Sequence, residues 1–179
     1  MHSPSEKGYL QVYTGDGKGK TSAAFGLAMR ALGRGKRVIV VQFLKGAVPT
    51  GEVMLAERLG EGIEVYRYAD RPTATIHGAP DEHDRRSAAR AWDRAQEILR
   101  AGECDLLILD EMNNALHYGL VNADELLDAL RERPEHLEVV CTGRWAPPEL
   151  VEAADLVTEM HAVKHYADRG VPARLGIEL

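Results

Sequence analysis

Residues Thr14 to Ser22 read TGDGKGKTS, and they join a β-branched run, YLQVYT from Tyr9 to Thr14, to an alanine-rich run that starts at Lys20. Three glycines, Gly15, Gly17 and Gly19, allow a backbone that other residues resist, so the stretch reads as a tight nest between a strand and a helix. The usual phosphate-gripping pattern is G-x-x-x-x-G-K-[ST]. Gly19, Lys20 and Thr21 fit its end, while Thr14 stands where the first glycine belongs. Backbone N–H groups in such a nest, backed by a helix N-terminus, favour anionic oxygens. Lys20 adds a mobile positive charge and Thr21 a hydroxyl suited to Mg²⁺. The plain alternative, a glycine-rich turn before a helix, is disfavoured by these flanks.

A strand that feeds a helix through a phosphate nest is the opening unit of a parallel α/β sheet, and the rest of the chain keeps that rhythm. Further strands are expected at Arg37 to Phe43, Ile63 to Tyr68, Asp105 to Asp110, Leu137 to Thr142 and Leu156 to Val163. Several are apolar on both faces, as in a sheet covered on each side. Helices are expected over Lys20 to Leu32 with Gly33 as its stop, Gly51 to Leu59, Asp81 to Ala101 with Gly102 as its stop, Asn122 to Glu132 and Pro147 to Ala154. In the long helix Ala88, Trp92, Ala95 and Leu99 fall on one face, which makes Trp92 a core residue. Ala69 to Asp84, ADRPTATIHGAPDEHD, is the one long irregular stretch, and long loops in compact domains are often active-site elements. The whole chain, 1–179, is expected to form a single domain.

Three further clusters carry chemistry. LLILDE, Leu106 to Glu111, is an apolar strand ending in two acids, and beside a phosphate nest such acids organise Mg²⁺. Either Asp110 or Glu111 could touch the ion. TGR, Thr142 to Arg144, follows the fifth strand, and ligands of open α/β sheets bind at the carboxyl ends of strands. Arg144 therefore belongs near Lys20 and Glu111, and Arg30, on the helix that leaves the nest, could also reach a phosphate; for each a surface arginine is the plain alternative. His161 and His165 are four apart but lack a third ligand, so a metal pair is not expected. His77 and His83 fall in the long loop. Cys104 and Cys141 have no C-x-x-C spacing and read as buried, reduced thiols. No Ser-His-Asp or Cys-His nucleophile system appears.

Composition narrows the partners. A formal charge of -6, from 28 acidic and 22 basic residues, offers no broad positive field for a nucleic-acid backbone or an anionic membrane. The start, MHSPSEKGYL, lacks the apolar core of a signal peptide, and VIVVQFL is far too short to span a bilayer. A cytoplasmic protein with no nucleic-acid or membrane partner is expected.

These residues together resemble the phosphate-loop class of corrinoid adenosyltransferases. The resemblance rests on VYTGDGKGKTSAAFGLAMRALG, VVQFLKG from Val40, LLILDE, CTGRWAPPELVEAADLVTEM from Cys141, and VKHYADRGVPARLGIEL at the end, and so covers nearly the whole chain. It implies an α/β fold of the P-loop NTPase-like (RecA-like) kind, a mostly parallel sheet with helices on both faces. It implies an enzyme in which a reduced Co(I) corrinoid attacks the 5′-carbon of ATP and triphosphate leaves, in adenosylcobalamin biosynthesis or salvage. The nucleophile then comes with the substrate. By the same resemblance Gly15, Asp16, Gly17, Lys18, Gly19, Lys20, Thr21 and Ser22 hold triphosphate with Arg30, Thr21 with Asp110 and Glu111 organises Mg²⁺, and Lys20, Glu111 and Arg144 serve the reaction. A flavoprotein reductant and a homodimer are implied as well. Salvage-type members carry a phenylalanine and a tryptophan after the third strand, and this chain has neither between Tyr68 and Trp92. Some relatives also cap the partner subunit's site with a longer N-terminal segment than residues 1–8, which precede the first strand here. Two other classes compete: a phosphate-loop ATPase or small-molecule kinase, and a protein that binds nucleotide or corrinoid without transfer.

Overall fold

Short runs that are apolar on both faces suit a sheet covered by helices on each side, and the chain uses them repeatedly. The computed structural model describes residues 7–69, 71, 76 and 78–178. Its strands are β1 (Leu10–Thr14), β2 (Val38–Gln42), β3 (Ile63–Arg67), β4 (Leu106–Asp110), β5 (Glu138–Thr142) and β6 (Leu156–Glu159). They form one six-stranded sheet in the order β3-β2-β4-β5-β1-β6. Every pairing is parallel.

The helices are α1 (Lys20–Leu32), α2 (Gly51–Leu59), α3 (Glu82–Ala101), α4 (Met112–His117), α5 (Ala123–Glu132) and α6 (Pro148–Ala153), with a 3₁₀ turn at Tyr166–Arg169. α1 and α2 bury Ala24, Phe25, Ala28 and Ala56 against Val38, Val40, Ile108 and Val140 on one face. The other face carries α3 to α6, whose Trp92, Ile98, Met112, Leu126 and Leu150 meet Ile39, Val41, Leu107, Leu109 and Val139. Alternation along β2, β4 and β5 feeds both layers, which is why these strands are apolar throughout. Trp92 is core, as its helical spacing implied.

The expected elements are found with small differences. α1 and α2 have the expected bounds, and α3 starts at a capping box in which Asp81 accepts from the backbone of His83 and Asp84 while Asp84 accepts from Asp81. Gly102 ends α3 in the left-handed region, but Gly33 ends α1 with helical angles, so its stop does not use glycine's freedom. β6 closes at Glu159 rather than at Val163, because the next residue turns to the phosphate nest. α4 was not expected. It begins directly after β4, where Glu111 reverses the chain at φ 63° instead of a polar cap announcing the helix.

The strand order positions the site. From β1 the chain runs through α1 and α2 toward β3 at one edge, and from β3 it returns through α3 to β4, β5 and β6 on the other face. A crevice opens at the carboxyl ends of strands where such connections diverge. That crevice lies over β1, β4 and β5.

Candidate active site at the carboxyl edge of the sheet

The nest after β1 is built by close packing against Met160. Gly15 has φ 94°, and a Cβ there would sit 2.3 Å from the Met160 carbonyl oxygen. The Gly17 N–H donates to that same oxygen at 2.7 Å, so the segment after β6 fixes the loop's shape. Gly19, at φ 120°, turns the chain into α1. Thr14 holds the place of the expected first glycine for a different purpose: its Oγ1 accepts from the Ala146 N–H at 3.2 Å. The hydroxyl ties the end of β1 to the turn after β5.

Lys20 folds over the nest and donates to the carbonyls of Gly15 and Gly17, each at 2.7 Å. Burial pushes its pKa below the ordinary 10.5, Glu111 opposes that and Arg144 adds to it. Lys20 and Arg144 thus share a corner of mixed charge with Glu111 and Asp16.

The acid strand meets this corner at Thr21. Its Oγ1 donates to Asp110 Oδ1 at 2.8 Å. Asp110 is fully buried and also accepts from Thr142 Oγ1 at 2.7 Å and from Gln42 Nε2 at 3.0 Å. Those bonds satisfy a carboxylate that burial would otherwise penalise. Glu111 is more open, and its N–H donates to Thr142 Oγ1 at 3.1 Å. The Lys45 ammonium lies 3.1 Å from Glu111 and 3.8 Å from Asp110. Burial works against its charge, but the two carboxylates outweigh that and raise its pKa above 10.5.

A cleft of about 1280 Å³ runs over these groups, lined by Lys20, Thr21, Lys45, Glu111, Arg144 and Trp145 among others. That exceeds the roughly 300–1,000 Å³ of a usual small-molecule pocket. Leu44, Glu111 and Trp145, at φ 47°, 63° and 55°, are the non-glycine residues with positive φ among those described, and all three line the cleft. Each such residue costs on the order of 1–3 kcal/mol and persists where the surroundings over-determine it. The C-terminal segment forms another wall, through His165, Ala167, Ile177 and Glu178. Glu178 accepts from Tyr166 and Arg174 and lies 3.9 Å from Lys18, whose ammonium donates to the Ile177 carbonyl at 3.0 Å.

The residues expected to act together are therefore mostly gathered. Asp16, Gly17, Lys18, Lys20, Thr21, Ser22, Glu111 and Arg144 line the cleft, with Gly15 and Gly19 shaping its loop and Asp110 beneath. Arg30 is not brought there. It lies exposed in the last turn of α1, ten residues or about 15 Å of helical rise beyond Lys20, on the side that faces Tyr13. Of the long loop, Ile76 lines the cleft, Asp81 caps α3, and His77 lies outside the described residues. His165 caps the 3₁₀ turn by accepting from Ala167 N–H, and His161 pairs with Glu159 at 3.5 Å. No cluster of three His, Cys, Asp or Glu side chains that could hold a metal occurs among the described residues.

Sequence reasoning did not single out Gln42, Lys45, Asn113, Asn114 or Trp145. Asn113 is buried and donates to the carbonyls of Tyr13 and Gly143, and Asn114 accepts from the Arg144 N–H at 2.6 Å. Gly143, at φ 131°, has no room for a Cβ beside Asn114, 2.8 Å away. Gln42 and Lys45 fall within VVQFLKG at the end of an apolar strand, but nothing in that run marks which of its residues reaches the site.

The family model described as "ATP:corrinoid adenosyltransferase BtuR/CobO/CobP" matches residues 6–179. A corrinoid adenosyltransferase of Pseudomonas aeruginosa is 43% identical over 173 residues, which cover 97% of this chain and 84% of that protein. The corrinoid adenosyltransferase of Escherichia coli K12 is 40% identical over 97% of this chain and 86% of its own length. Salmonella typhimurium corrinoid adenosyltransferase CobA is 39% identical with the same coverage. With the phosphate nest, the acid strand and the C-terminal wall all falling inside the matched residues, the chain belongs to the ATP:corrinoid adenosyltransferase family.

Proposed function

We propose that the cleft transfers the 5′-deoxyadenosyl group of ATP to a reduced corrinoid by holding the triphosphate as a leaving group in the nest after β1. The carrying observation is the 2.8 Å hydrogen bond from Thr21 to Asp110, which joins the nest to the acid strand. The backbone of Gly15 to Gly19 with Lys20 and Ser22 grips the phosphates, and Arg144 faces them across the cleft. Cobalt, in the Co(I) substrate, supplies the electron pair. A Co–C5′ bond forms, the C5′–O5′ bond breaks, and triphosphate departs with the bonding electrons. Lys20 and Arg144 stabilise the charge that grows on O5′ and its phosphates, an electrostatic contribution fixed in place before reaction. Positioning of C5′ against cobalt supplies the rest.

Mg²⁺ suits this site. Thr21, Asp110 and Glu111 offer hard oxygen donors, few enough that phosphate and water complete the shell. The ammonium of Lys45 between the two carboxylates is a stand-in for a cation at that point. The ion would neutralise triphosphate charge, with Thr21 and Glu111 as its nearer protein ligands and Asp110 orienting Thr21. Arg30, remote from the cleft of its own subunit, takes no part in this scheme.

The protein is further proposed to act as one domain over 1–179, as a homodimer in the cytoplasm, and to receive its corrinoid reduced by a flavoprotein. Self-association is supported by the edge strand β6, exposed along its length with Leu156 and Val157 at 45% and 41%. The test is product analysis with ATP, Mg²⁺ and chemically reduced corrinoid. A light-sensitive cobalt–carbon bond with equimolar triphosphate is expected, whereas ADP and an unchanged corrinoid spectrum would place the protein with the ATPases or kinases, and binding without products with the carriers.

A further inference from the structure

Trp145 combines three features that rarely coincide. Its backbone has φ 55°, a conformation that is an outlier for a bulky side chain. Its side chain is not used for burial, since the residue is 49% exposed. Yet the indole is held in place, stacked on His117 with ring centroids 4.4 Å apart and planes at 29°, and edge-on to Tyr118 at 6.1 Å. His117 and Tyr118 themselves meet edge to face at 5.2 Å. The backbone beneath is fixed by Thr14, which accepts from Ala146, and by Asn114, which accepts from Arg144. Trp145 and Tyr118 both line the cleft.

We propose that Trp145, backed by His117 and Tyr118, is an aromatic shelf on which the corrinoid ring rests. This deepens the transfer reading and rests on it. A corrinoid is a broad, rigid ring with apolar faces and amide arms around its rim. The shelf offers a flat apolar surface flanked by polar Asn114 and Arg144, which suits that outline. Position also favours the ring over the adenine. Trp145 lines the cleft and is still 49% exposed, so its ring meets both the cleft and solvent, as a support for a ligand that extends out of the cleft requires. The phosphate nest feeds α1 on one face of the sheet, and the shelf rises beside α4 on the other, leaving the reacting carbon between them. Aromatic surface that is rigid and pre-placed binds a flat ligand with little ordering cost.

The experiment compares wild type with Trp145→Ala, Trp145→Phe and Trp145→Gly, using cobinamide, binding by equilibrium dialysis, and KM for cobinamide and for ATP. Trp145→Ala is expected to weaken cobinamide binding and raise its KM roughly tenfold, with the KM for ATP changed less than about twofold. Trp145→Phe should recover most of that loss. Trp145→Gly tests the backbone, since glycine accepts positive φ without cost; it should melt at or above the wild-type temperature and still bind cobinamide poorly. Unchanged cobinamide binding by Trp145→Ala overturns the shelf alone. A raised KM for ATP with cobinamide unaffected assigns the rings to adenine and also overturns it. A Trp145→Gly protein that melts well below wild type makes the indole a structural brace, and the shelf falls in that case too. Wild-type protein that neither binds nor alkylates cobinamide overturns the transfer reading, and the shelf with it.

Discussion

Thr14 and Ala146 are 132 positions apart in sequence, and the Thr14 hydroxyl accepts the Ala146 N–H at 3.2 Å. The bond crosses from β1 to the turn after β5, so the residue that departs from the usual phosphate-loop pattern clamps the opposite wall of the cleft. A glycine there would keep the nest and lose the clamp.

Restoring the usual letter should therefore do harm. Thr14→Gly removes one hydrogen bond and adds backbone freedom at a strand end, at a cost of about 1–2 kcal/mol. Thermal melting should fall by roughly 2–8 °C, and turnover should not improve. A melting temperature equal to wild type would show that the Ala146 contact contributes nothing.

Lys45 should compete with divalent cation. Its ammonium lies between Glu111 and the buried Asp110, so Lys45→Met leaves two carboxylates without their counter-charge. In EDTA the variant should lose roughly 1–3 kcal/mol of stability. Mn²⁺ should restore it at lower concentration than wild type needs to show the same binding by paramagnetic relaxation. Equal Mn²⁺ affinity in the two proteins would contradict this.

Among the described residues the Lys20 side chain hydrogen-bonds to the loop carbonyls of Gly15 and Gly17, so Lys20→Met should fold normally and lose about 10²–10³-fold in turnover. Its pH signature has a definite sign. Burial lowers the native pKa below the ordinary 10.5, so between those values the unfolded chain binds more protons and stability rises with pH. Urea denaturation across that window should show the rise in wild type relative to Lys20→Met.

The two thiols should behave oppositely. Burial raises Cys104 and Cys141 from 9.0 to about 12. A raised native pKa gives stability that is complete below about 9 and lost as pH climbs toward about 12. At pH 8 neither thiol should react with iodoacetamide in native protein, and both should react in urea. Rapid native labelling of either would contradict its burial.

Much of this site was legible in the chain because it is made of contiguous motifs. A strand, a glycine nest and a helix are neighbours in sequence, and LLILD runs directly into Glu111, so their local chemistry needs no tertiary knowledge. Lys45 and Gln42 were invisible for the opposite reason: their meaning lies in contact with Asp110, across the pairing of β2 with β4. Arg30 shows the limit of reading by helix membership, since nearly three turns separate it from Lys20 and it does not line the cleft. α4 escaped because Met112–His117 is short and starts from a left-handed glutamate. The loop from Ala69 to Asp84 was marked by its length, and Ile76 does reach the cleft. Trp145 looked ordinary inside TGRWAPPEL, and only its backbone angle and its stack on His117 set it apart.

If O5′ leaves with the phosphates, an oxygen label on that atom must leave with them. ATP carrying ¹⁸O between C5′ and the α-phosphorus would be turned over with reduced cobinamide, and the products weighed by mass spectrometry. The label is expected in intact triphosphate, one for each cobalt–carbon bond formed. Label retained in ADP, with unlabelled phosphate released, would mean that a P–O bond breaks instead and would contradict it.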